Sequence, residues 1–145
     1  MKEIYTEIEI NASAEKVWRV LTDFAAYPMW NPFVRHVEGD VSVGSHPQVY
    51  IEPSGGNGML FRPTVLVAEP NRELRWLGHL WLPGLFDGEH SFSIKPLGEG
   101  HVRFVQRERF KGLLLPFLSK MLDGDIQRGF EEMNRALKLR AESAP

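Results

Sequence analysis

Residues 114–140 read LLPFLSKMLDGDIQRGFEEMNRALKLR. Within them Leu114, Phe117, Leu118, Met121, Leu122, Ile126, Phe130, Met133 and Leu137 step by three and four, the stripe of an amphipathic helix. The spacing predicts a single helix from about Pro116 to Arg140, with Pro116 in the first turn, where its missing N–H costs nothing. About 25 residues at ~1.5 Å each make a rod of about 38 Å, long enough to cross a sheet. Gly124 and Gly129 lie inside it and each costs about 1 kcal/mol relative to Ala, so they mark either a bend or a close backbone approach. Ala141 to Pro145 are expected to fray.

Upstream of this helix the text is of another kind. Ile4, Thr6, Ile8 and Ile10 alternate with Tyr5, Glu7 and Glu9, the period of a half-buried strand. Ser13 is placed to cap a short helix carrying Val17, Val20 and Leu21, with Glu15 at its positive end. A second short helix begins at Thr22-Asp23 and is expected to stop at Tyr27-Pro28. From residue 34 to 110 strand-like runs are separated by Glu38-Gly39-Asp40, Pro53 to Gly58, Pro70-Asn71, Pro83-Gly84 and Leu97 to Gly100. Short breaks between strands specify an antiparallel meander. The order is strand, two short helices, a run of strands, one long helix. That is an α+β layout, with helix packed on one face of a curved antiparallel sheet of about seven strands.

The bulk properties agree with one domain spanning 1–145. The chain has 145 residues, 43% hydrophobic and 25% charged, an ordinary globular balance. Lys plus Arg number 17 and Asp plus Glu 19, a formal charge of −2, so the basic excess of a nucleic-acid binder is missing. There is no cysteine, which removes disulfides, thiol nucleophiles and Cys-ligated metals. The first residues, Met1 to Glu7, carry no apolar signal core, and no apolar run reaches the ~20 residues of a membrane helix. The expected location is the cytoplasm, without stable membrane insertion, as a monomer or homodimer.

Several chemical motifs are absent. Ser54-Gly55-Gly56-Asn57-Gly58 lacks the Gly-Lys-Ser/Thr ending of a phosphate loop. His36, His46, His79, His90 and His101 have no metal-protease spacing, and Asp123-Gly124-Asp125 is too short for a calcium loop. No Gly-x-Ser-x-Gly elbow occurs. The sequence therefore calls for no metal and no cofactor.

The chain resembles the helix-grip proteins of the SRPBCC superfamily, which includes START lipid-transfer and birch-pollen-allergen-like proteins, and in particular its bacterial polyketide cyclase/dehydrase-like branch. The resemblance is carried by Ile8 to Trp18, by Tyr27-Pro28-Met29-Trp30-Asn31-Pro32-Phe33-Val34, by Leu74-Arg75-Trp76, by Gly84 to Phe92 and by Glu108-Arg109-Phe110-Lys111-Gly112-Leu113. It covers essentially the whole chain and departs at Ala14, where the family usually has proline. It implies a sheet curled around the long helix, an apolar cavity between them, and a small apolar ligand.

Alternation predicts the faces that line such a cavity. Met59, Phe61, Val65 and Val67 share one face, as do Leu74, Trp76 and Leu80. Phe86, His90, Phe92 and Ile94 share the next, then Val102, Phe104, Gln106, Glu108 and Phe110. If both of the last faces point inward, the turn near Gly98 holds an odd number of residues, with Gly98 or Gly100 at positive φ. His90 then lies across from Gln106 or Glu108.

His90, Gln106 and Glu108 are the polar exceptions on apolar faces. In one reading His90 moves a proton, Glu108 orients it or raises its pKa, and Gln106 holds a ligand carbonyl or hydroxyl. In the other they satisfy only one another. Trp30 is either a gate at the cavity mouth or packing at a corner. The apolar turn Trp81 to Phe86 is either a lid or a tucked loop. The expected lining is Trp30, Phe61, Trp76, His90, Phe92, Phe104, Gln106, Glu108, Phe117 and Met121. Three functions follow: binding of a small hydrophobic, lipid- or polyketide-like molecule; a polyketide cyclase/dehydratase-type enzyme using His90 and Glu108; or a protein-interaction module presenting the 81–86 loop.

Overall fold

The computed structural model describes residues 1–53, 57–80 and 82–143. Strand β1 (Lys2–Ile10) is followed by α1 (Ala14–Thr22), a 3-10 turn (Phe24–Ala26) and α2 (Tyr27–Trp30). Seven strands come next: β2 (Val34–Glu38), β3 (Gln48–Ile51), β4 (Met59–Phe61), β5 (Thr64–Glu69), β6 (Glu73–Leu80), β7 (Phe86–Gly98) and β8 (His101–Lys111). The chain closes with α3 (Leu115–Met121), a π turn (Leu122–Ile126) and α4 (Gln127–Glu142). No helix among the described residues is long and apolar enough to cross a membrane.

Local chemistry explains the first bends. Ser13 caps α1 by accepting from the Lys16 N–H at 3.2 Å. The helix expected to stop at Tyr27-Pro28 instead restarts there, because proline fits the first turn of α2. Asn31 ends α2: its Oδ1 accepts from the N–H groups of Phe33 and Val34 at 3.0 and 2.9 Å, turning the chain into β2.

The strands form two hydrogen-bonded sheets, a five-stranded one ordered β1-β8-β7-β6-β5 and a three-stranded one ordered β2-β3-β4. All pairings are antiparallel. The expected single sheet is divided at Arg62-Pro63, since Pro63 has no N–H to carry a ladder across. Two backbone bonds join the parts at one end: Gly44 N–H donates to the Val65 carbonyl at 2.9 Å, and Val65 N–H to the Ser45 carbonyl at 3.0 Å. A bulge between Val65 and Val67 reverses the alternation of β5. Val65 pairs with inward Trp76, but Val67 pairs with Arg75 on the outer side and Ala68 takes the inward place opposite Leu74.

The β7–β8 hairpin reaches the expected pairing by another route than an odd turn. Gly98 pairs with His101 across the two-residue turn Glu99-Gly100, with Gly100 at φ +67°, and a bulge at Leu97 shifts the register so that Pro96 pairs with Val102. Across the sheet this register aligns Trp76, His90, Glu108 and Ile4 in one row, and Leu74, Phe92, Gln106 and Thr6 in the next.

The single long helix is interrupted. Leu118, Leu122, Ile126 and Phe130 recur every four residues, and at ~3.6 residues per turn such a row drifts about 40° per step. The wider π turn takes up that drift and keeps Leu122, Ile126 and Phe130 in the core. Of the two readings open for Gly129, a bend or a close approach, the structure shows the close approach, since a Cβ there would stand 2.2 Å from the Phe33 ring.

Candidate functional site

Where β6 crosses β7, glycine faces glycine: Gly78 pairs with Gly88. Two adjacent positions without side chains leave a hollow in the concave face. A cavity of about 70 Å³ occupies it. Phe61 and Met59 of the small sheet form one wall, Phe86 and Phe110 another, and Leu122 and Ile126 of the π turn close it from the helix side. Phe86 and Phe110 are stacked with ring centroids 5.4 Å apart. Among these apolar walls stand His90 and Glu108.

Glu108 reaches this hollow because Gly88 lies below it. Its carboxyl occupies the volume that any side chain at 88 would fill. Its Oε1 is 3.4 Å from His90 Nδ1, and Oε2 lies over Gly88 on the cavity floor. The His90 ring is sandwiched between Phe92 and Phe130, with centroids 4.2 and 4.8 Å away and near-parallel planes.

Behind His90 runs a chain of hydrogen bonds whose direction is fixed at its far end. Thr6 donates its hydroxyl to the backbone carbonyl of Gln106 at 2.8 Å, and a carbonyl can only accept. The Thr6 oxygen therefore accepts from Asn134 Nδ2 at 2.9 Å. That turns Asn134 Oδ1 toward Gln106, whose Nε2 donates to it at 2.7 Å. Gln106 Oε1 then faces His90 and accepts from Nε2–H at 3.0 Å. Each link leaves the next only one orientation, so His90 carries its proton on Nε2 and presents the Nδ1 lone pair to Glu108.

Burial sets the charge states. Desolvation pushes the His90 pKa down to about 3, the bond to Gln106 opposing it weakly. Desolvation also pushes Glu108 up to about 8. Both shifts favour the uncharged forms, an imidazole beside a carboxylic acid. Chemically this is a proton acceptor beside a proton donor, the imidazole buried between aromatic rings and the carboxyl 16% exposed.

The structure brings only some of the expected lining residues to the cavity. Phe61, His90 and Glu108 line it. Trp76, Phe92, Phe104 and Gln106 lie beneath, fully buried, and hold the polar pair from behind. Trp30 is half-buried at the corner, packed edge-on against Tyr27 at 5.2 Å, and does not line the cavity. Phe117 is a correction: it is 82% exposed, because the shortened α3 turns that side to solvent. The Met121 side chain and Trp81 lie outside the described residues. In the rest of the 81–86 loop, Leu82 is exposed while Phe86 is buried in the cavity wall.

Sequence reasoning missed Thr6 and Asn134 as partners of the cluster. Thr6 was visible as a polar side chain between Ile4 and Ile8 on the inward face of β1. Asn134 follows Phe130 by four and precedes Leu137 by three, so it sits within the apolar stripe. Missed too was Gly88, an inward glycine flanked by Phe86 and His90, the signal of space kept for another group.

A family model described as polyketide cyclase / dehydrase and lipid transport matches residues 1–142. Among curated proteins no sequence matches. Solved structures share the fold at low identity. A START superfamily protein from Mycobacterium smegmatis is 24% identical, with TM-score 0.71 and 97% of each chain covered. The Zhui aromatase/cyclase from a Streptomyces species is 18% identical, with TM-score 0.75, 97% of this chain and 93% of that one covered. A norcoclaurine synthase point mutant from Thalictrum flavum, in complex with a transition-state analogue, is 17% identical, with TM-score 0.72 and the same shares covered.

Proposed function

The chain belongs to the polyketide cyclase / dehydrase and lipid transport family, and from that premise we propose that it binds a small hydrophobic molecule between the sheet and the C-terminal helix. The observation that carries this reading is the hollow above Gly78 and Gly88, walled by aromatic and aliphatic side chains and closed at its floor by one carboxyl group. Binding energy would come from apolar burial, at about 25 cal/mol per Å², with the polar floor setting orientation. A formal charge of −2 suits an uncharged ligand rather than nucleic acid.

Native mass spectrometry of the purified protein, followed by solvent extraction, tests this. A retained small molecule, or one taken up from an offered lipid or polyketide extract, is the expected result. A protein that stays empty after both overturns it.

A second reading rests on the contact between His90 and Glu108. An acid touching a base in a largely apolar pocket is suited to moving protons within a bound substrate, as a cyclase or dehydratase requires. Glu108 would take a substrate proton at Oε2 as its own proton on Oε1 passes to His90 Nδ1, and the return of that proton would complete the transfer. Full turnover by a His90→Ala variant on any substrate found for the protein would remove this reading.

A further inference from the structure

We infer that the cavity selects a ligand whose polar end donates a hydrogen bond to Glu108 Oε2, an alcohol in preference to the ketone of the same shape. The inference rests on the binding reading above and sharpens it to a chemical class.

The argument follows from the direction of the buried chain. The Gln106 carbonyl orients Thr6, Thr6 orients Asn134, Asn134 orients Gln106, and Gln106 requires the proton of His90 on Nε2. His90 Nδ1 is therefore a bare lone pair, 3.4 Å from Glu108 Oε1. With the acid proton on Oε1, it sits on the oxygen nearer the Nδ1 lone pair. With the proton on Oε2, two lone pairs would stand 3.4 Å apart beside a buried imidazole, and an unsatisfied buried acceptor is costly. The proton belongs on Oε1, which leaves Oε2 as a carbonyl-type acceptor over Gly88, at the cavity floor. The conclusion holds if the proton moves to His90, and it holds if Glu108 ionises, because Oε2 accepts in each case.

A ligand oxygen that can only accept would meet an acceptor. An alcohol meets its complement. Among the described residues, the other polar groups of the lining are His79, whose ring Nδ1 is taken by Asp87 at 2.8 Å, and His90, whose Nδ1 already has Glu108 Oε1 as its neighbour at 3.4 Å. The discrimination is thus set by one atom whose state is dictated from β1 and α4.

Cyclohexanol and cyclohexanone make a matched pair, titrated into the full-length protein and followed by amide and methyl NMR shifts. The expected result is tighter binding of the alcohol by about tenfold, the effect of one buried acceptor left unsatisfied. Glu108→Leu is expected to erase that preference. Glu108→Gln, whose amide turns N–H to Nδ1 and oxygen to the cavity, is expected to restore it. Nitrogen-15 shifts of His90 in the ligand-free protein are expected to show the proton on Nε2. Equal binding, or a preference for the ketone, overturns the inference and leaves the binding reading standing. A His90 proton on Nδ1 overturns it whatever binds. Binding of neither compound at millimolar concentration overturns the binding reading for ligands of this size, and the inference with it.

Discussion

Gly88 lies so close beneath Glu108 that a Cβ added at 88 would sit 2.1 Å from the carboxylate Oε2. A glycine in a strand interior ordinarily weakens it. Here it makes the room in which an acid can be buried beside an imidazole. The backbone of β7 thereby controls the chemistry of a side chain on β8.

Gly88→Ala should evict the carboxyl rather than break the sheet, since the clashing atoms are the far end of a flexible side chain. The swung-out Glu108 regains water, so its pKa should fall from about 8 toward the ordinary 4.5. Stability should change by no more than about 1–2 kcal/mol. A carboxyl-carbon NMR titration reads this directly; an unmoved pKa would show that the crowding does not matter.

The same acid should leave a mark on stability. Its folded pKa of about 8 exceeds its ordinary 4.5, so the folded state holds more protons than the unfolded state between those values. Its stabilising contribution is complete below pH 4.5 and is lost as pH rises through 8, at no more than about 1.4 kcal/mol per pH unit. His90 acts in the opposite sense: its pKa is depressed from 6.5 to about 3, so its contribution is complete above pH 6.5 and is lost as pH falls. The two oppose each other between 4.5 and 6.5, and only Glu108 acts from 6.5 to 8. Urea midpoints of the native protein should therefore fall from pH 6.5 to 8, while those of Glu108→Gln should not. Parallel curves would refute the buried acid.

Asn134→Leu keeps the volume but cuts the chain in its middle. The Gln106 amide loses its 2.7 Å acceptor and keeps only the longer contact to the Phe130 carbonyl at 3.4 Å. A loss of about 1–3 kcal/mol is expected in denaturant titrations. Thr6→Val should cost less, because the Gln106 carbonyl that Thr6 reaches also lies within the sheet. A neutral Asn134→Leu would mean that the bonds contribute nothing net.

Two glycines of the last helical segment should respond in opposite directions to alanine. At Gly124 nothing lies within 4 Å of the added Cβ, so the helix preference for alanine should gain about 0.5–1 kcal/mol. At Gly129 the Cβ meets Phe33 at 2.2 Å, and overpacking should outweigh that gain by about 1–3 kcal/mol. Thermal melts of the two variants decide the matter; shifts of the same sign would contradict the packing.

Phe117→Ser should alter stability by less than about 0.5 kcal/mol, as expected of a side chain that is 82% exposed. It should also leave ligand capture in native mass spectrometry unchanged. A lost ligand would return Phe117 to the site.

The sequence carried the architecture where local rules act without interference. Strand alternation put His90, Gln106 and Glu108 on inward faces, and His90 does lie across from Glu108, although a two-residue turn and a bulge at Leu97 set that register rather than an odd turn. Those rules failed where tertiary context intervened. The bulge at Val65 shifted one residue and moved Val67 to the outer side. Proline at 63 divided a run that reads as continuous. The row Leu118, Leu122, Ile126, Phe130 is compatible with either a straight helix or a π turn until the core it must reach is known. Phe117 shows the cost of that ambiguity: helical spacing placed it in the stripe, and the observed winding points it outward. Asn134 and Thr6 were legible as polar intruders on apolar faces, but their partners lie on distant elements that no local pattern joins.

The division of the sheets at Pro63 has a consequence for capacity. Met59 and Phe61 stand on the small sheet, Phe86 and Phe110 on the large one, and the two bonds at Val65 tie the sheets together at one end. Among the described residues, the seam beside the cavity is held by side-chain packing alone. Opening it by an ångström separates side chains, at about 0.1–0.2 kcal/mol for each atom pair parted, and ruptures no rung of either ladder. A closed barrel would have to break backbone bonds to gain the same room. The resting volume of 70 Å³ is thus a floor, and larger guests meet a graded rise in cost rather than a wall.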